Sequence, residues 1–225
     1  MDYHIELDLD FKRNPYKGKF IAIEGIDAAG KTTQVNNLAK ALREKGEKVY
    51  LTKSPTDGEI GKFIRRVLTG KTKIPPISFQ FLFAADRNVQ QQELVKHLKK
   101  GETVISDRYF WSALAYGIAD RGGVEIKRTG KVLLVAQAIL SMYDQHLIPD
   151  KTIYLDIPVS LAVSRLSRIS KTKELYEKED KLLQIERAYK WLIKKFPKEI
   201  TVVDGTKSVE ELTDIVLPLV LSAKK

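Results

Sequence analysis

Short apolar, β-branched runs recur along the chain at FIAIE, KVYLT, ETVIS, KTIYLDI and EITVVD, each behind a glycine, proline or charged breaker. Runs of this length and composition predict five strands. The segments between them have helical period and room for crossover helices: Lys31 to Glu44, Pro76 to Lys99, Lys131 to Tyr143, Ser160 to Ser170 and Lys178 to Phe196. Strand and helix in alternation imply an α/β fold, a doubly wound parallel five-stranded sheet with helices on both faces. Punctuation agrees: Gly46 and Gly101 follow two of the helices, and Ser208 with Glu211 spells a capping box for a last one. With no internal repeat and no linker, one domain is expected over residues 18–225. Ahead of it, residues 1–17 form an N-terminal extension. There Tyr3, Ile5, Leu7, Leu9 and Phe11 alternate with polar residues, which suits an edge strand or a partly ordered tail.

Composition narrows the chemistry. The 225 residues include no cysteine, so disulfides and thiolate metal sites are excluded and a reducing compartment, the cytoplasm, is expected. No apolar run approaches the roughly 20 residues that a membrane helix needs. The N-terminus MDYHIELDLDF is acidic where a secretory signal is basic and then apolar, so neither a membrane location nor export is expected. The net charge of +10 suits an anionic partner, although much of it is lysine on amphipathic stretches such as KHLKKGE, which also read as solvated helix faces. No basic cluster is interleaved with aromatics, so nucleic acid is not the expected partner. Phosphate-bearing small molecules remain.

The stretch GIDAAGKT, Gly25 to Thr32, fits G-x-x-x-x-G-K-[ST] between a predicted strand and a predicted helix. That context makes it a phosphate cradle rather than a glycine-rich turn. Gly25 and Gly30 permit the backbone turns that aim successive N–H groups inward, and the helix N-terminus adds positive potential. Lys31 is placed for the outer phosphates, and Thr32 for a hydroxyl contact to Mg²⁺. Asp27 is out of place in an anion-binding loop, which points it at a second substrate. At the end of ETVIS, Asp107 and Arg108 lie where open α/β sheets bind ligands. Asp107 suits Mg²⁺ or its waters, while Arg108 suits a phosphate or a structural pairing with a sheet-end Asp. Phe83 and Arg87, four apart on the long helix, share a face that suits a nucleobase. They also suit a core position with Arg87 paired to the adjacent Asp86.

In this order, GIDAAGKTTQ, LFAADR, DRYFWSALAYG, TIYLDI and YEKED resemble the thymidylate kinase family of P-loop nucleoside monophosphate kinases over most of residues 18–217. The resemblance implies the P-loop NTPase fold, transfer of the ATP γ-phosphoryl group to dTMP with Mg²⁺, and a homodimer. It also implies that Gly25, Ala28, Ala29, Gly30, Lys31, Thr32 and Thr33 face the ATP phosphates, with Thr32 and Asp107 at the metal. For the acceptor, it implies that Phe83 stacks on thymine, Arg87 bonds a base carbonyl and Arg108 holds the phosphate. Asp27 then faces the sugar and phosphate region. Pro55 and Ser112 complete the pocket, and Tyr116 crowds the 2′ position. Lys31, Asp27, Arg108 and Arg168 are the implied catalytic set.

Departures from the family pattern leave other readings open. Lys53-Ser54-Pro55 stands where relatives often show Arg-Glu-Pro, and Ala113 where many carry a small polar residue, so one hydrogen bond to the base is unaccounted for. A kinase for another pyrimidine monophosphate or a deoxynucleoside is one alternative, and a P-loop switch protein another. With Ala28 where some relatives carry arginine, compensating charge is expected from a lid near residues 168–177, from Arg168 first and then Lys171 and Lys173.

Overall fold

The computed structural model describes residues 10–123, 129–169 and 175–223. Strands β1 (Phe20–Glu24), β2 (Val49–Lys53), β3 (Thr103–Asp107), β4 (Lys151–Asp156) and β5 (Ile200–Asp204) pair in parallel in the order β2-β3-β1-β4-β5. Helices α1 (Lys31–Glu44), α2 (Glu59–Leu68), α3 (Pro76–Lys99), α4 (Phe110–Asp120), α5 (Thr129–Leu140), α6 (Val159–Ile169), α7 (Glu179–Lys195) and α8 (Val209–Leu221) surround the sheet. Because parallel strands need crossovers, every connection carries at least one helix. The central β1 is buried at all five positions, as a strand covered on both faces must be. It separates β3 from β4, so the chain winds outward in opposite senses on its two sides. A crevice therefore opens at the carboxyl ends of β1 and β3.

Helices α1 and α3 occupy the predicted bounds, and α8 starts at the predicted capping box, with Ser208 Oγ accepting from Glu211 N and Ser208 N donating to Glu211. Two helices, α2 and α4, form where none was expected. In α4 nine of eleven residues are buried, so its sequence carries little of the one-sided polarity that marks a surface helix. Residues 10–18 form neither helix nor strand. Phe11 packs against Phe110, Trp111 and Phe196, and Arg13 grips Glu199 with two hydrogen bonds of 2.6 and 2.7 Å. Most of the alternating stretch that suggested an edge strand, Tyr3 to Leu9, lies outside the described residues.

His146, 6% exposed, sits edge-on to the Tyr143 ring. Burial, and then the charge of Arg87, pushes its pKa down to about 4 from 6.5. Below 6.5 the unfolded chain takes up a proton that the folded chain refuses until about 4, so stability falls as pH drops through that window. The loss between pH 7 and 5 is about 2 kcal/mol. Urea denaturation at the two pH values should show it, and His146→Gln should flatten it. An equally steep acid dependence in His146→Gln would contradict the assignment.

Candidate functional site

The loop after β1 takes its shape from backbone conformations that side chains resist. Gly25 has φ 152°, and a Cβ there would lie 3.0 Å from both the Leu155 carbonyl oxygen and the Ala29 Cβ. Ala28 and Gly30 also have positive φ, at 60° and 90°. Such turns point consecutive N–H groups to one side, and α1 begins directly behind them. Lys31 is buried, with its Nζ donating to the Ile26 carbonyl oxygen at 2.6 Å. Burial, and then the neighbouring Arg108, lowers its pKa to about 8 against the opposing pull of Asp27 and Asp107. Thr32 Oγ1 donates to Asp107 Oδ2 at 2.5 Å, which joins the start of α1 to the end of β3.

Arg108 follows Asp107 at φ 68°, a strained conformation for a residue with a side chain. Its guanidinium reaches the Gly25 carbonyl oxygen at 2.8 Å, Ser112 Oγ at 3.1 Å and Asp27 Oδ1 at 2.5 Å. It also lies 5.2 Å from the centroid of Tyr116, whose hydroxyl donates to Asp27 Oδ2 at 3.0 Å. Burial alone would raise the Asp27 pKa, but Arg108 and Lys31 hold it below the usual carboxylate range. Asp27 is thus a fixed anion between two cations. It ties Arg108 and Tyr116 to the loop.

A residue that sequence reasoning passed over holds this arrangement in place. Glu24, fully buried at the end of β1, accepts from the Tyr109 and Ser112 backbone N–H groups at 2.9 and 3.3 Å and from the Ser112 and Tyr189 hydroxyls. Tyr109 and Ser112 are the cap and third residue of α4, so Glu24 satisfies orphan donors of that helix from another element. Burial raises its pKa above the usual carboxylate range, against those hydrogen bonds and Arg108. Its sequence signal was a carboxylate closing an otherwise apolar strand.

Two openings meet at the loop. One is a cavity lined by Asp27, Ser54, Pro55, Leu68, Gln80, Phe83, Arg87, Arg108, Ser112, Ala113, Tyr116 and Tyr176. Arg87 is 1% exposed, donates to the Tyr143 hydroxyl at 3.0 Å and stands 5.3 Å from the Phe83 ring centroid. The pairing of Arg87 with Asp86 does not form: Asp86 instead accepts from the Thr56 N–H and hydroxyl at 2.8 and 2.6 Å. Tyr176, assigned in sequence to the lid, lies over this cavity, edge-on to Tyr116 with its hydroxyl donating to Asp120.

The other opening is a groove lined by Ala28 to Gln34, Arg165, Arg168, Gly205 and Lys207. Arg165, in the middle of α6, sends its guanidinium to the Ala28 carbonyl oxygen at 3.1 Å. Arg168 sits one turn later, exposed at the rim. Lys171 and Lys173 lie outside the described residues. Apart from Gly25, whose carbonyl oxygen accepts from Arg108, and Asp107, bonded to Thr32, every implied site residue borders one opening or the other. Glu24, Arg165 and Gln80 were missed, and Tyr176 was expected in the lid but not in the cavity wall. Arg165 and Arg168, three apart on a helix beside the phosphate groove, are a spacing that would have revealed the first.

The family model described as Thymidylate kinase matches residues 23–216. The chain is 36% identical over 214 residues to a probable thymidylate kinase of Pyrococcus horikoshii, covering 91% of this chain and 96% of that one. It is 32% identical over 212 residues to the thymidylate kinase of Nitrosomonas europaea, covering 91% and 93%. Its fold is similar to the solved thymidylate kinase of Candida albicans, with a TM-score of 0.76, 26% identity and 92% of each chain covered.

Proposed function

Since the chain belongs to the thymidylate kinase family, we propose that its two openings divide the substrates, ATP in the groove and dTMP in the cavity. The enzyme transfers the γ-phosphoryl group of ATP to dTMP, giving dTDP. The observation that carries the division is the loop itself: Asp27 lines the cavity and the next residue, Ala28, lines the groove. A donor phosphate on one side and an acceptor on the other meet across it, as in-line transfer requires.

In this reading Lys31 follows the outer ATP phosphates, and the loop from Gly25 to Thr33 cradles them with backbone N–H groups. Arg108 holds the dTMP phosphate, oriented by Asp27 and the Gly25 carbonyl oxygen. Tyr116, pinned by Asp27, crowds the 2′ position and favours deoxyribose. Pro55 walls the cavity, while Ser112 braces Arg108. Mg²⁺ fits the donor set at the loop. Thr32 and Asp107 supply a hydroxyl and a carboxylate, and no group of three or more His, Cys, Asp or Glu among the described residues offers a protein cage. Such a site suits an ion shared with phosphates and water. When bound, the ion neutralises phosphate charge.

A buried arginine with no carboxylate partner among the described residues, beside an aromatic ring, suits a thymine carbonyl. Arg87→Ala should raise the KM for dTMP by the equivalent of about 1.5 to 3 kcal/mol, roughly 10- to 150-fold, with the KM for ATP little changed. Steady-state kinetics varying each substrate in turn tests this. An unchanged dTMP KM would return Arg87 to a packing role and take the base out of this cavity.

We also propose a homodimer in a cytoplasmic setting. Ile77, Phe81 and Val89 are exposed on α3 at 54, 59 and 54%, spaced by multiples of four so that they form one inclined stripe. Among the described residues no helix is long and apolar enough to cross a membrane.

A further inference from the structure

Thymine offers two adjacent groups on its pairing edge, an acceptor at O4 and a donor at N3–H, and a site that reads it needs a donor beside an acceptor. Arg87 has donors only. Ala113 and Gly117 of α4 carry no polar side chain, and Ser112 Oγ is already engaged with Glu24, Arg108 and Tyr189. The acceptor must come from elsewhere in the cavity.

Gln80 is 2% exposed and lines the cavity. Its Oε1 is buried with no hydrogen-bond partner among the described residues, a cost that native structures rarely leave unanswered. It sits three and seven residues before Phe83 and Arg87, on the same face of α3. Gly117 makes the room: a Cβ there would come within 3.3 Å of the Gln80 amide carbon and nitrogen and 2.3 Å of Ile139 Cδ1. Arg87 nearby also has a buried, unpartnered Nε. Ser54 Oγ is likewise buried and unpartnered in the cavity wall, but it follows β2 and does not share the α3 face of Phe83 and Arg87.

Resting on the assignment of dTMP to this cavity, we propose that Gln80 is a specificity-determining residue whose Oε1 accepts the thymine N3–H while Arg87 donates to the adjacent carbonyl. The pair rejects cytosine, which presents a lone pair at N3 to Gln80 and an amino group to Arg87. With Gln80 Oε1 turned to the base as it stands, both contacts become repulsive and both protein groups are left unpaired, the situation in which polar recognition discriminates most strongly. Gln80 replaces on α3 the polar group that Ala113 lacks on α4.

Gln80→Met preserves volume and removes the acceptor. It should raise the dTMP KM about 3- to 10-fold, leave the ATP KM unchanged, and narrow the dTMP to dCMP ratio of kcat/KM by about tenfold. A packing role would shift dTMP and dCMP alike, and that result, or no change in either KM, overturns the proposal. Arg87→Ala run alongside separates the two levels. If it also leaves the dTMP KM unchanged, the cavity is not the acceptor site and the underlying assignment falls too. If it raises that KM, only the role of Gln80 falls. Competition with N3-methyl-dTMP on the wild-type enzyme needs no variant. Binding at least tenfold weaker than dTMP supports the proposal, and equal binding overturns it.

Discussion

Replacing Lys31 by alanine should leave the fold intact and lower kcat by about 10²- to 10³-fold or more. The two halves of this expectation have one origin. The Lys31 ammonium is buried and its pKa is depressed to about 8, so the folded chain holds this charge against desolvation and against Arg108. Its ammonium donates to the Ile26 carbonyl oxygen. Removing the ammonium relieves that cost, whereas the phosphoryl group loses a donor aimed at the charge that develops during transfer. Thermal unfolding should therefore shift little while turnover collapses. Wild-type kcat in Lys31→Ala would remove ATP from the groove.

The second large effect should come from Arg165. With alanine at position 28 the loop brings no arginine to stand beside Lys31, and α6 supplies one from the side, at the Ala28 carbonyl oxygen. An arginine fork spans two phosphate oxygens where a lysine is a point charge. Arg165→Ala should lower kcat by roughly 10²- to 10³-fold with a smaller change in the KM for ATP, the pattern of a contact made chiefly in the transition state. Arg168→Ala should cost less than about tenfold, because Arg168 lies exposed one turn farther out. If Arg165→Ala stays within about threefold, equivalent to about 0.65 kcal/mol, the role passes to Arg168 and the lysines of the lid.

What the sequence revealed depends on how each feature is encoded. The loop was legible because its function is carried by local backbone, and G-x-x-x-x-G-K-[ST] fixes both the turn and the helix behind it. Helices α1 and α3 were legible to the residue because breakers bracket them. Helix α2 was hidden by Pro55, Gly58 and Gly61, which read as loop although Ile60, Ile64, Val67 and Leu68 have helical spacing. Helix α4 was hidden by its burial. The partners of Arg87 were ambiguous for a different reason: consecutive helix residues point about 100° apart, and Asp86 therefore faces Thr56 while Arg87 faces Tyr143. Glu24, Tyr189 and Tyr176 act through contacts between distant parts of the chain. Ser112 meets Tyr189 across 77 positions, and Glu24 meets it across 165, separations that no local pattern records.

The most direct measurement is ADP release by the wild-type enzyme, with ATP and Mg²⁺, across dTMP, dUMP, dCMP, dAMP, dGMP, UMP and thymidine. The structure predicts turnover that requires an acceptor, is highest in kcat/KM with dTMP and falls sharply with UMP, where Tyr116 meets the 2′-hydroxyl. Thymidine, lacking the phosphate that Arg108 would hold, should not be phosphorylated at a comparable rate. ADP release that needs no acceptor, or that proceeds as well with thymidine as with dTMP, would contradict a site in which the two phosphates meet across the loop from Gly25 to Thr33.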